Sequence, residues 1–214
     1  MDEEDVDRRF RVAWERACAE WAAADPARCA ARAGCGLSPD GVGVPFFGQT
    51  HLVTYPGGDV SAGGAPVHVA VSILLLHYLL RADGAPPAGE WLAFRELPDG
   101  LFYAASFAAR VEAPLARAFG APGAGGSDDG LERFRAAAVV AGGAPLELAD
   151  AAFAFQVLPR LAVAVLVWAG DEESEGLPAQ ASIVFPAAAG HYLPTEDLAG
   201  LGGLLARRLL SGAP

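Results

Sequence analysis

The chain has 214 residues, 53% of them hydrophobic, and a formal net charge of −11. That length and apolar content allow a sizeable core without disulfides or metal, while the acidic balance opposes binding to nucleic-acid phosphates or to anionic lipid surfaces. All fifteen basic residues are Arg and none is Lys, so Schiff-base and pyridoxal chemistry, which needs a lysine amine, is excluded.

The opening Met1-Asp2-Glu3-Glu4-Asp5 is the reverse of a signal peptide's basic start. The longest uncharged apolar helix candidate, residues 66–80, spans 15 residues, short of the roughly 20 that a membrane span needs. These features predict a soluble cytoplasmic protein with no membrane and no nucleic-acid partner. Cys18, Cys29 and Cys35 are odd in number and match neither a zinc ribbon nor a ferredoxin run. They are read as buried or partly buried free thiols, with no metal site.

Val6, Phe10, Trp14, Ala17, Cys18 and Trp21 recur at helical spacing. Asp25 and Pro26 then stop that helix and start another, Asp25 as N-cap and Pro26 at the first helical position, with Gly34 or Gly36 closing it. Glycine and proline punctuate residues 37–66, and residues 44–55 form a small hairpin. Residues 67–81 are apolar almost all round, which predicts a helix buried on most of its circumference, ending at Asp83-Gly84 before the rigid Pro86-Pro87. Residues 91–97 form a strand or an ordered loop, and Pro98-Asp99-Gly100 a turn. A helix over 103–119 carries Phe107, Val111, Leu115 and Phe119 on one stripe, with Pro114 kinking it or starting a second helix.

After a glycine-rich linker at 121–127, a helix over 128–140 stops at Gly142-Gly143. From Leu146 the period becomes that of strands. Phe153, Phe155 and Val157 mark one buried face, while 161–168, apolar on both faces, is a central strand. The acidic stretch 171–178 is a hairpin loop and Ser182 to Phe185 the partner strand. Thr195 caps the final helix, whose first turn holds Glu196 and Asp197, where the helix dipole favours acids. The change of period near residue 143 predicts an α+β fold in one domain, 1–214. A mainly helical layer, 1–143, packs on a C-terminal antiparallel sheet with a closing helix, 146–214.

The blocks Leu74-Leu75-Leu76-His77-Tyr78-Leu79-Leu80-Arg81, Gly89-Glu90-Trp91-Leu92-Ala93-Phe94-Arg95-Glu96-Leu97-Pro98 and His191 to Leu198 resemble a bacterial family catalogued as domain of unknown function 3786. The likeness runs from about residue 12 to 210. It implies a setting in anaerobes, where some members carry a four-cysteine iron-sulfur domain of the kind found in the corrinoid iron-sulfur protein of acetyl-CoA synthesis. This chain has no four-cysteine module. The resemblance implies no particular active site, cofactor or partner.

Standard catalytic signatures are missing. No phosphate-binding loop, nucleophile elbow, His-Glu-x-x-His or dinucleotide fingerprint occurs, and no residue is assigned as catalytic. The polar groups set among aromatic or apolar blocks are the ligand-binding candidates: His77, Arg81, Trp91, Arg95, Glu96, Tyr103, His191 and Tyr192. His77 also reads as a core histidine bonded to a backbone carbonyl. Arg95 and Glu96, if extended, point to opposite sides, one pairing with Arg81 or Asp83. Trp91, Phe94, Phe102 and Tyr103 line a cleft or pack in the core. The leading functional expectation is a non-catalytic binding or accessory protein, linked through the resemblance to corrinoid or one-carbon metabolism. The alternative is an enzyme with a small-molecule pocket between the helical layer and the sheet.

Overall fold

The computed structural model describes residues 3–86, 90–121, 127–170 and 177–212. The linker expected at 121–127, the acidic loop at 171–178 and Pro87 lie wholly or largely outside them. The fold is α+β, as the change of period predicts. The chain divides into two compact units, each assembled from separated stretches of sequence.

The first unit comprises residues 1–87, 157–161 and 191–193. Helix α1 (Glu3–Ala22) buries Ala17 and Trp21, and the Trp21 indole N–H donates to the Thr54 carbonyl at 2.9 Å. The Asp25 side chain accepts from the backbone N–H groups of Ala27 and Arg28, starting α2 (Pro26–Ala33). Gly34 ends that helix at φ 70, a left-handed conformation that glycine adopts without a Cβ penalty.

An antiparallel meander of β1 (Gly36–Ser38), β2 (Gly41–Phe46), β3 (Gln49–Val53), β4 (Val60–Ala62) and β5 (Ala65–Pro66) follows, its strands neighbouring in chain order. The expected hairpin is its centre, with Val44 opposite His51. Three further short strands extend the hairpin into a five-stranded sheet. The other three strands are two or three residues long, too short to show a period of two.

Helix α3 (Val69–Arg81) buries Ser72, Ile73, Leu74, Leu75, Leu76, Tyr78 and Leu79, which is burial on most of its circumference. It starts two residues later than its apolar run because His68 is the N-cap, its Nδ1 accepting from the Ala70 N–H at 3.2 Å. Helices α1 and α2 pack against α3.

The second unit comprises residues 88–156, 162–190 and 194–214. Strand β6 (Trp91–Ala93) gives way to a 3-10 turn (Phe94–Glu96). Of the strand or ordered loop expected over 91–97, the strand occupies 91–93 and Arg95 and Glu96 fall in the turn, not in extended chain. The reason is local: the Glu96 carboxylate folds back to accept from the Ala93 N–H at 2.7 Å, and Phe94 stacks on Phe107 with centroids 4.1 Å apart. Helix α4 (Gly100–Phe107) runs into a π turn (Ala108–Glu112), α5 (Ala113–Leu115) and a second π turn (Ala116–Gly120). Pro114 lacks the N–H of a regular helix and its ring presses on the preceding turn. The widened backbone around it accommodates this, and Phe107, Val111, Leu115 and Phe119 are all buried.

Helix α6 (Ser127–Val140) precedes β7 (Ala144–Leu146), β8 (Ala151–Leu158), β9 (Leu161–Trp168) and β10 (Gln180–Pro186). The sheet order is β6-β10-β9-β8-β7. Strand β9 is central, as its two apolar faces require. Ala152, Ala164, Leu166 and Val184 make one cluster, with Trp91, Leu146 and Trp168 packed against it. The tip joining β8 to β9, residues 157–161, belongs to the first unit. Helix α7 (Thr195–Ser211) closes the chain with Glu196 and Asp197 in its first turn. Pro194, not Thr195, is its N-cap. The proline is already extended and its carbonyl takes the first helical bond from Leu198, so the Thr195 hydroxyl is left to donate to the Pro98 carbonyl at 2.5 Å. Among the described residues no helix is long and apolar enough to cross a membrane.

Candidate functional site

A polar cluster of the first unit gathers at the C-terminal end of α3. The helix stops at Arg81, and the Asp83 carboxylate Oδ1 accepts from the Ala85 N–H at 2.8 Å. Gly84, at φ 86, lets the turn close. The turn presents two acceptors. The Ala85 carbonyl receives the Tyr192 hydroxyl, and Asp83 Oδ2 lies 2.6 Å from His191 Nδ1. Asp83 is held below the usual carboxylate range, first by the hydrogen bond from His191, then by the Ala85 N–H and by the fields of His191 and Arg32. Both side chains are about half exposed, at 53% for His191 and 48% for Asp83. The pairing fixes the imidazole through Nδ1 and leaves Nε2 for an outside partner.

Tyr78 and Tyr192 are fully buried behind this pair, with rings 6.0 Å apart at 32°. The Tyr78 hydroxyl donates to the Ala33 carbonyl at 2.7 Å and accepts from the Arg160 backbone N–H at 3.1 Å. Its pKa is raised, chiefly by burial. Tyr192 is raised as well, by burial first, with Arg160 acting against it as a charge and as a side-chain hydrogen-bond donor. Arg160 comes from the tip between β8 and β9 and lies across Gly34, where an added Cβ would sit 3.4 Å from its Cγ and Nε. Arg160 Nε is buried and has no hydrogen-bond partner among the described residues.

Arg32, in the last turn of α2, lies beside Gly84, its Cγ 3.8 Å from where a Cβ there would stand. Burial pushes the Cys35 thiol up to about 12. It stays protonated at neutral pH and is a poor nucleophile.

The expected ligand-binding residues divide between the units. His191 and Tyr192 are brought to the end of α3, while His77 and Arg81 stand on α3 itself, His77 partly buried and Arg81 exposed. In the second unit Trp91 packs on the face of the C-terminal sheet, and Arg95 and Glu96 occupy the 3-10 turn, Glu96 engaged by the Ala93 N–H. Tyr103 is exposed on α4 beside Phe102, whose ring is 85% exposed. Of the aromatic group expected there, Phe94 is fully buried and Trp91 packs partly buried against the sheet cluster, while Phe102 and Tyr103 are exposed.

Sequence reasoning did not single out Asp83, Tyr78, Arg160 or Arg32 as site residues. Asp83-Gly84 was visible only as a helix stop. Tyr78 and Arg160 are 82 positions apart, and no local period links them. Glu112 was missed too. In the second unit its Oε1 accepts from the Ile183 N–H at 3.0 Å and the Ser182 hydroxyl at 3.2 Å. Burial raises its pKa against those two bonds and the field of Arg95.

A family model described as Domain of unknown function (DUF3786) matches residues 25–208 of the chain. No curated protein and no solved structure matches it.

Proposed function

The chain belongs to the Domain of unknown function (DUF3786) family, and from that premise we propose that it is a cytoplasmic binding or accessory protein whose ligand contacts the cluster at the end of α3. One observation carries the reading. The His191–Asp83 pair is half exposed, with the imidazole held through Nδ1, and Tyr78 and Tyr192 are tied behind it by backbone partners. The set holds groups in place without activating one: both tyrosines are raised by burial, and the neighbouring Cys35 stays protonated. The three cysteines are free thiols, in keeping with a reducing compartment. The link to corrinoid or one-carbon chemistry is an extension drawn from the family resemblance, and it sets the first ligands to try.

Thermal melts with corrinoids, haem and a metabolite panel test this. A ligand at 100 times its Kd adds about 2.7 kcal/mol, a midpoint rise of roughly 5 to 10 °C for a chain of this size. The rise should shrink in His191→Ala and Tyr192→Phe. A ligand that stabilises the wild type and both variants equally binds elsewhere and ends the proposal.

The His191–Asp83 geometry favours one second reading, an enzyme in which Asp83 orients the imidazole and Nε2 acts as general base. If a ligand found in the melts is chemically converted, and His191→Gln abolishes conversion while retaining binding, the enzyme reading replaces the first.

A further inference from the structure

We propose that Arg160 is the anchor of the cluster for an oxyanion, a carboxylate or phosphate group of the bound molecule. This deepens the binding-site reading above and rests on it. A guanidinium carries five N–H donors and cannot shed its charge. Arg160 nevertheless keeps Nε buried with no hydrogen-bond partner, and no carboxylate lies within ion-pair distance of it among the described residues. A buried charged donor left unmatched is costly, and such groups call for an explanation, an ion among them.

The surroundings supply what an anion site needs. Arg160 is fixed at both ends. Its backbone N–H is bonded to the Tyr78 hydroxyl, and its side chain lies on the bare backbone of Gly34 and reaches the Tyr192 hydroxyl. Little freedom is left to lose when a ligand arrives. Neither tyrosine competes as a counter-ion, because each hydroxyl is neutral and donates its proton to a backbone carbonyl.

Charge points the same way. The charges that act on Asp83 and on Tyr192 at this end of α3 are those of Arg32, Arg160, His191 and Asp83 itself. Two guanidinium groups therefore stand against one carboxylate, and that carboxylate is already engaged by His191 and Ala85. The planar fork of arginine matches two oxygens of a carboxylate or a phosphate, a fit that lysine does not offer.

The test is NMR of the arginine Nε–H signals in the full chain, with the Arg160 signal identified by its loss in Arg160→Lys. Inorganic phosphate and succinate are titrated separately at constant ionic strength, with chloride as the control for screening. The Arg160 signal is expected to move saturably with one or both oxyanions but not with chloride, and the exposed Arg207 signal is expected to stay. The arm that saturates at lower concentration identifies the phosphate or the carboxylate class. Arg160→Lys, whose fold is checked by its melting midpoint, should weaken binding by about 10- to 100-fold, read from the effect on the His191 ring signals. An Arg160 signal that follows chloride as it follows the oxyanions, or that stays unmoved by both, overturns the assignment. If a ligand from the thermal melts perturbs His191 and Tyr192 yet leaves Arg160 unmoved, the cluster remains a binding site and only the oxyanion assignment falls.

Discussion

At the scale of single residues, Glu112 shows how a buried charge can be structural. Its carboxylate satisfies the N–H of Ile183, a residue whose neighbours 184–186 pair with β6. Burial lifts its pKa above the ordinary 4.5. A raised folded-state pKa means that the contribution to stability is full below about 4.5 and is lost as pH rises through the folded value. Glu112→Gln keeps an acceptor oxygen and removes the charge, so it should flatten this fall relative to wild type. Glu112→Ala leaves the Ile183 N–H unmatched and should cost about 1 to 3 kcal/mol. Urea midpoints measured over about pH 4 to 8 compare the three chains. Parallel profiles for wild type and Glu112→Gln would show that the carboxyl titrates as it does when unfolded. No feature of the sequence around Glu112 marks this role, because its partners Ser182 and Ile183 lie 70 and 71 positions away. Asp25 is the opposite case. Its cap was legible because donor, acceptor and the neighbouring proline are contiguous.

At the scale of elements, α7 offers two glycines with opposite expectations. A Cβ at Gly200 would meet nothing within 4 Å, whereas at Gly202 it would stand 2.9 Å from the Phe107 ring. Gly200→Ala should therefore stabilise by up to about 1 kcal/mol through helix propensity. Gly202→Ala should destabilise by about 1 to 3 kcal/mol as the stacked Phe94–Phe107 pair is forced to move. Denaturation midpoints decide it, and equal shifts for the two variants would mean that Phe107 gives way to the added methyl at little cost.

The same helix corrects a simpler expectation. A terminal helix suggests half-exposed leucines, yet Leu201 is as fully buried as Leu75 and Leu76 of α3. Leu75→Ala and Leu201→Ala should both cost about 2 to 5 kcal/mol, the usual result of emptying a packed leucine site. A mild Leu201→Ala beside a severe Leu75→Ala would contradict the burial. Periodicity revealed the long elements, since α3 and β9 announce themselves by being apolar all round. It could not reveal how much cover the last helix receives, because that depends on partners outside the helix, such as Phe107 and Phe185, which no period within it specifies.

At the scale of the whole molecule, the α+β class was readable from the switch of period near residue 143. The arrangement of the α3 cluster was not. His191 and Tyr192 stood out as polar and aromatic groups beside a helix start, but their partners Asp83, Ala85 and Arg160 come from other parts of the chain. The first unit owes this cluster to two short returns of the chain, 157–161 and 191–193. Those eight residues contribute Arg160, His191 and Tyr192, while the long stretch before residue 87 contributes the rest. The unit is therefore not a cassette. No excision confined to the unit's own residues could move it to another protein with its chemistry intact, and a gene fragment ending at residue 87 would encode the scaffold without three of the groups that the scaffold is shaped to hold. Inheritance of the site thus requires an unbroken stretch from Arg32 to Tyr192, and this ties the history of the cluster to that of the strands β8, β9 and β10 that lie between its pieces.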